Sequence, residues 1–274
     1  MSKKIGIIGI GSMGKMLLDG FIKTISVDPE QVFVSTRSRD KLALLKKEYA
    51  NINFCENNSQ VVHSSDLLFI CVKPMEVSQI FDEIKDSLDE SKHVVSIAAC
   101  VTFKDMERKF GGKISRIVPS LTSVVFEGIS LISHNNMVTK PDQEYLENLL
   151  GKMSTVKKIH EKDFEIAGDL TSCAPGLIAA IFNEFVNAAL PFGSLSEKEA
   201  TEMVIKTLYG TAKLIHETNM SFTETLDRVA TKGGITEEGA KILQRKLPDV
   251  FREVFDKTLK KHEAIKAKMS GLFD

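Results

Sequence analysis

Residues 3–14 constrain this chain more than any other stretch. Lys3-Lys4-Ile5-Gly6-Ile7-Ile8 is a short apolar run of strand type, and Gly9-Ile10-Gly11-Ser12-Met13-Gly14 follows it directly. From Lys15 to Ile22 apolar residues recur at helical spacing. Strand, GxGxxG and helix in that order is the context a dinucleotide fingerprint requires. Gly9 permits the tight turn, Gly11 lets a pyrophosphate approach the backbone, and Gly14 lets helix and strand pack closely. The unpaired N–H groups and the dipole at the helix start favour the diphosphate. The bland alternative is a glycine turn in some other α/β unit.

The next 150 residues alternate between the two periodicities. Val32–Ser35, Asp66–Val72, His93–Ala98, Ile114–Val118, Gly128–Ser133 and Thr155–Ile159 read as strands. Helices are expected over Arg39–Tyr49, Val77–Leu88, Thr102–Phe110 and Pro141–Met153. The run Leu67-Leu68-Phe69-Ile70-Cys71-Val72 is nearly continuously apolar, as in a parallel strand buried on both faces. This alternation predicts a doubly wound, mostly parallel α/β sheet, a Rossmann domain, over residues 1–160. After residue 160 strand signals vanish. Helical spacing runs through Glu161–Gly168, Pro175–Leu190, Glu197–Glu217, Phe222–Ala230, Thr236–Gln244 and Asp249–Lys268, so 161–274 is predicted to be an all-helical domain. Pro175–Leu190 is apolar on most faces, which predicts burial within this domain or against a second copy.

Composition excludes several classes. The formal net charge is −1, so no field argues for nucleic acid or a membrane surface. The basic-then-apolar start is broken by three glycines and Asp19, unlike a signal peptide, and no apolar run approaches a membrane span. Cys55, Cys71, Cys100 and Cys173 form no CxxC pair. Buried thiols in a reducing, cytoplasmic compartment are expected, with no metal site.

Strand two ends in Ser35-Thr36-Arg37-Ser38-Arg39, with no acid for a ribose 2′-OH. Hydroxyls and arginines such as Thr36 and Arg37 suit a 2′-phosphate instead, predicting NADP(H) rather than NAD. Lys73 follows the fourth strand at the sheet edge where ligands bind, and is either a cofactor contact or a solvated loop lysine. Ser96-Ile97-Ala98-Ala99-Cys100 closes the next strand with small residues that admit a flat ring. Gly233-Gly234 before a helix start offers backbone donors for a carboxylate, or is a plain flexible link with Thr236 as an N-cap.

These motifs, in this order over almost the whole chain, resemble the pyrroline-5-carboxylate reductase family. That family has an alanine-valine-lysine-proline strand end, here Cys71-Val72-Lys73-Pro74, and a serine-x-alanine-alanine-glycine strand end, here Ser96 to Cys100. It has a methionine-proline-asparagine-threonine-proline motif, here Val118-Pro119-Ser120-Leu121-Thr122, and a serine-glycine-serine-glycine-proline-alanine-tyrosine motif, here Thr171 to Leu177. Its serine-proline-glycine-glycine-threonine-threonine loop is here Thr231-Lys232-Gly233-Gly234-Ile235-Thr236.

The resemblance implies that NADPH reduces a cyclic imine, 1-pyrroline-5-carboxylate, to proline. It implies a homodimer or higher homo-oligomer interlocked through the helical dimerisation domain, with the active site at that interface. Cofactor contacts are implied at Ile8, Gly9, Ile10, Gly11, Ser12, Met13, Thr36, Asn58, Cys71, Val72, Lys73, Pro74, Ile97, Ala98 and Ala99. Substrate contacts are implied at Glu161, Thr231, Gly234, Ile235 and Thr236. The chemistry needs no nucleophile or metal: two rings must be aligned, the imine protonated and its carboxylate held. The Thr236 hydroxyl can donate or relay that proton, and Glu161 can favour the iminium. Departures gather at the substrate loop. Glu237 and Glu238 are expected to repel a substrate carboxylate, Lys232 replaces a proline, and Arg228 replaces an asparagine. They predict weak turnover of pyrroline-5-carboxylate itself. A nucleotide-binding paralogue with another imine substrate or a regulatory role, resembling the late competence protein, is the alternative. A β-hydroxyacid dehydrogenase would need a glycine-lysine-x-x-x-asparagine segment that is absent from the sequence.

Overall fold

The structure, a computed structural model, describes residues 3–273. Its first part runs β1 (Ile5–Ile8), α1 (Ser12–Lys23), β2 (Val32–Ser35), α2 (Arg39–Glu48), β3 (Asn53–Phe54), α3 (Asn58–Ser64), β4 (Leu67–Ile70), α4 (Val77–Ile84), β5 (His93–Ser96), α5 (Phe103–Glu107), β6 (Lys113–Pro119), β7 (Gly128–His134), α6 (Lys140–Gly151) and β8 (Ser154–Lys158). The strands form one sheet in the order β3-β2-β1-β4-β5-β6-β7-β8. Every neighbouring pair is parallel except β6 with β7. β1 and β4 are buried at every residue, which explains their unbroken apolar character. On one face Leu17 and Phe21 of α1, Leu45 of α2 and Leu146 and Leu150 of α6 form the core. On the other it is Val61 and Val62 of α3, Phe81 and Ile84 of α4 and Met106 of α5. The strand order reverses between β1 and β4, and the crevice outside that switch point is where such sheets bind ligands.

Two short elements escaped the sequence reading. β3 has two residues, and α3 has only a seven-residue polar and β-branched sequence, started by the Asn57 side chain accepting the Gln60 N–H at 2.9 Å.

The remainder is helical, as expected: α7 (Phe164–Gly168), α8 (Ala174–Ala189), α9 (Glu197–Thr218), α10 (Phe222–Val229) and α11 (Ile235–Ser270). A π-helical turn, Asp169–Cys173, joins α7 to α8. The helical run Glu161–Phe192 is long and apolar enough, by length and composition, to cross a membrane, with a window hydropathy of 1.4 of which 6% is buried. This corrects the expectation that no segment approaches a span. The sequence reading had broken this run between Gly168 and Pro175, which the π-turn carries through.

α11 is likewise one helix where two were expected around Pro248. Pro248 is exposed, so the carbonyl it leaves without a partner faces water.

The chain divides into two compact units, Met1–Pro175 with Thr258–Asp274, and Gly176–Lys257. This division differs from the expected boundary at 160/161, because the end of α11 belongs to the sheet. Met269 and Phe273 sit in its second core, and the Ser78 hydroxyl donates to the Leu272 carbonyl. The helical unit leaves Ile181, Phe185, Tyr209 and Leu243 exposed on its own surface.

Candidate functional site

The three fingerprint glycines each have a separate physical reason. Gly9 has φ +93°, and a Cβ there would lie 2.8 Å from the Cys71 carbonyl oxygen. A Cβ on Gly14 would lie 2.2 Å from the Gly9 carbonyl, so only glycine lets α1 pack against the loop. A Cβ on Gly11 would meet nothing within 4 Å. That space, beside an α1 start with no side-chain cap and no acid in its first turn, fits a diphosphate.

The crevice beside this loop is a cavity of about 290 Å³. It brings together Ile8, Gly9, Ile10, Gly11, Thr36, Arg37, Asn58, Cys71, Val72 and Lys73 from the expected set. Asn58 begins α3 and is fixed from both sides. The Ser35 hydroxyl donates to its Oδ1 at 2.7 Å, and its Nδ2 donates to Glu83 at 2.6 Å. Cys71 is buried against Gly14, and burial pushes its thiol well above the usual range. The end of β2 is acid-free, as the sequence shows, but Glu76 enters the same cavity from the turn after Pro74. Its carboxylate pairs with the Arg37 guanidinium and accepts the Lys73 N–H at 3.2 Å. Arg37 holds the Glu76 carboxyl below the usual range. Sequence reading missed Glu76, Ser38 and Lys41, all of which line this cavity.

Ser12, Met13, Gly14, Pro74, Ile97, Ala98 and Ala99 lie outside the 290 Å³ cavity. Ser12 instead lines a second, mainly apolar cavity of about 780 Å³ between α1 and α2. Ile97 donates its N–H to the Ile70 carbonyl at 3.2 Å, which sets it beside the end of β4.

The expected substrate residues sit on the two separate units. Glu161, in the sheet unit, accepts the Phe103 N–H at 2.7 Å and the Arg116 guanidinium at 2.6 Å through Oε1. Arg116 is almost wholly buried, so Glu161 serves as its counter-ion. An electrostatic role toward an iminium is correspondingly weakened by that pairing.

Thr231–Thr236 lies in the helical unit. Helix α11 begins at Ile235, so Thr236 is inside the first turn rather than its N-cap. Gly233 has φ +74°, and its N–H donates to Glu237 Oε2 at 2.6 Å. The Gly234 N–H is taken by the Thr231 carbonyl at 2.8 Å. The two donors expected for a substrate carboxylate are therefore occupied within the loop, because a helix start recruits acceptors for its unpaired N–H groups. Lys241 pairs with both Glu237 and Glu238, which moderates the repulsion expected from those acids. Thr236 and Ile235 are exposed on this chain.

Residues 4–100 match the family described as NADP oxidoreductase coenzyme F420-dependent, and 161–265 match pyrroline-5-carboxylate reductase dimerisation. Pyrroline-5-carboxylate reductase 3 of Bacillus subtilis is 40% identical, covering 96% of this chain and 97% of that protein. ComE operon protein 4 of the same organism is 28% identical, covering 95% of each. A solved pyrroline-5-carboxylate reductase from Coxiella burnetii superposes with a TM-score of 0.84 at 27% identity, covering 99% of each chain. A nucleotide fold with an intact glycine fingerprint, joined to this dimerisation segment at that level of identity over the whole length, places the chain in the pyrroline-5-carboxylate reductase family.

Proposed function

We propose that this protein reduces 1-pyrroline-5-carboxylate to proline with NADPH, acting in the cytoplasm as a homodimer built through its helical segment. The observation that carries the reading is the full-length likeness to a reductase at 40% identity. The cofactor is NADP(H), held by the Gly9–Gly14 loop and by Thr36, Arg37 and Lys73. When bound, NADPH supplies the hydride that the imine carbon accepts. Gly11 and the uncapped start of α1 receive the diphosphate, and Arg37 with Thr36 receives the 2′-phosphate. Ile97, Ala98 and Ala99 offer a flat wall at the end of β5. The Thr236 hydroxyl donates to the imine nitrogen, and the substrate carboxylate competes with Glu237 for the Gly233 N–H, with Thr231 beside it. Glu161, paired with Arg116, holds the start of α5 through the Phe103 N–H. The unpartnered apolar surface of residues 176–257 supports dimer formation.

Steady-state kinetics with pyrroline-5-carboxylate and NADPH test this. Native turnover is expected, and Thr236→Ala should lose on the order of 10²-fold in kcat. Tight NADPH binding without turnover of any cyclic imine would overturn the catalytic reading.

A further inference from the structure

A small cavity of about 60 Å³ lies behind Ala99 and Arg116, and the reaction above makes no use of it. Two thiols reach it, Cys100 and Cys173. Cys100 has φ +66°, a left-handed conformation that favours glycine, and the related motif has glycine at this position. Strained non-glycine residues of this kind concentrate at functional sites. Cys173 closes the π-turn Asp169–Cys173, another feature frequent at such sites.

Beside Cys100 stands an Asp–His pair, its aspartate wholly buried and its histidine partly so. Cys100 Sγ is 3.3 Å from His262 Nδ1, and His262 Nε2 is 3.0 Å from Asp169 Oδ1. The Asp169 side chain is wholly buried and accepts the Thr258 hydroxyl at 2.5 Å. One chain of hydrogen bonds thus runs from Asp169 through His262 to Cys100, and Cys173 lines the same cavity. With Nε2–H donating to Asp169, Nδ1 is left to accept the Cys100 proton, which is the orientation of a general base. Filling polar valences around Asp169 explains His262 and Thr258. It does not explain a cysteine in a glycine conformation, nor a second thiol at the same cavity.

We propose that Cys100 and Cys173 form a peroxide-reactive dithiol, in which His262 activates Cys100 and Cys173 resolves the oxidised product to a disulfide. The cavity has room for a few waters and therefore for hydrogen peroxide. His262 Nδ1 takes the Cys100 proton, and the sulfur attacks one peroxide oxygen. The O–O bond breaks, and the departing hydroxide recovers the proton from His262 and leaves as water. Cys100 is then a sulfenic acid. The Cys173 sulfur attacks it, the S–O bond breaks, and the hydroxide leaves as water with the Cys173 proton. Two thiols are oxidised, one hydrogen peroxide is reduced, and two waters form. Burial and the nearby Glu165 push the Cys100 thiol above its usual range, and partial desolvation beside Asp169 does the same for the exposed Cys173. Reaction therefore depends on His262 rather than on a standing thiolate.

The full-length protein, freed of reductant, is treated with stoichiometric hydrogen peroxide and mapped as non-reduced peptides by mass spectrometry. A Cys100–Cys173 link is expected before oxidation at Cys55 or Cys71. His262→Gln should slow its formation by roughly 10²-fold. Cys173→Ser leaves the Asp169–His262 pair in place and should stop at a Cys100 sulfenic acid trapped by a 1,3-diketone probe, a reading that stands even if His262→Gln unfolds. Oxidation of Cys173 at an unchanged rate in Cys100→Ser, absence of the linked peptide in the native protein, or no sulfenic acid in Cys173→Ser would each overturn the proposal.

Discussion

Arg37 and Glu76, 39 residues apart in the sequence, form an ion pair inside the nucleotide cavity. A 2′-phosphate must compete with Glu76 for the same guanidinium, whereas NADH has no group that does so. Glu76→Gln keeps an acceptor for the Lys73 N–H but removes the rival charge. An exposed pair of this kind is worth about 0.2–1 kcal/mol, so NADPH should bind up to roughly fivefold tighter with NADH unchanged. Fluorescence titration with both cofactors reads this, and equal effects on the two would show that Glu76 acts only on the loop.

A comparable competition operates in the helical unit. Glu237 occupies the Gly233 N–H, and that hydrogen bond keeps its carboxyl below the usual range, so it stays charged at neutral pH. Glu237→Ala should free the donor and lower KM for the imino acid several-fold, with a smaller change in kcat. An unchanged KM would mean that the loop does not bind the carboxylate through Gly233.

Acid stability should track His93. The ring is buried, its Nε2 lies 2.7 Å from Ser115 Oγ, and burial pushes its pKa down to about 3 from 6.5. The unfolded chain therefore binds a proton that the folded one refuses. Stability is full above pH 6.5 and falls as the pH drops toward 3, by up to about 5 kcal/mol. Asp142, held low by Lys113 and Lys3 despite its burial, adds a further loss as the pH falls below its ordinary value of 3.8. Thermal melts across this range are expected to show a flatter acid limb for His93→Asn than for the native protein.

Assembly is predicted to rest on the helical unit. Phe185, packed edge-on to Phe182 at 6.3 Å, is 58% exposed on the single chain. Phe185→Glu should shift the protein toward monomer in light scattering at low micromolar concentration. A variant that remains fully dimeric would place the interface elsewhere.

The nucleotide half was legible because its signals are local. Gly9, Gly11 and Gly14 act within one turn, and β4 shows its double burial as an unbroken apolar run. Glu76 was hidden because its partner Arg37 comes from a different strand end, and no spacing rule links them. Thr36 and Arg37 could be read as 2′-phosphate ligands, but not as groups already engaged by an acid. The Thr231–Thr236 loop could be picked out by motif, while the capture of its N–H groups by Glu237 and Thr231 depends on how α11 starts. The gap between the expected helices Thr236–Gln244 and Asp249–Lys268 is bridged in α11, which carries the exposed Pro248 within it.

The return of α11 to the sheet has a consequence for synthesis. Met269 and Phe273 complete a core begun near Ile8, yet they emerge from the ribosome only after the whole 176–257 segment. During translation this core must wait for Met269 and Phe273, and for the Leu272 carbonyl that the Ser78 hydroxyl reaches, before it is complete. A nascent chain halted at residue 257 would lack Met269 and Phe273 and so leave this core short of two side chains that it buries.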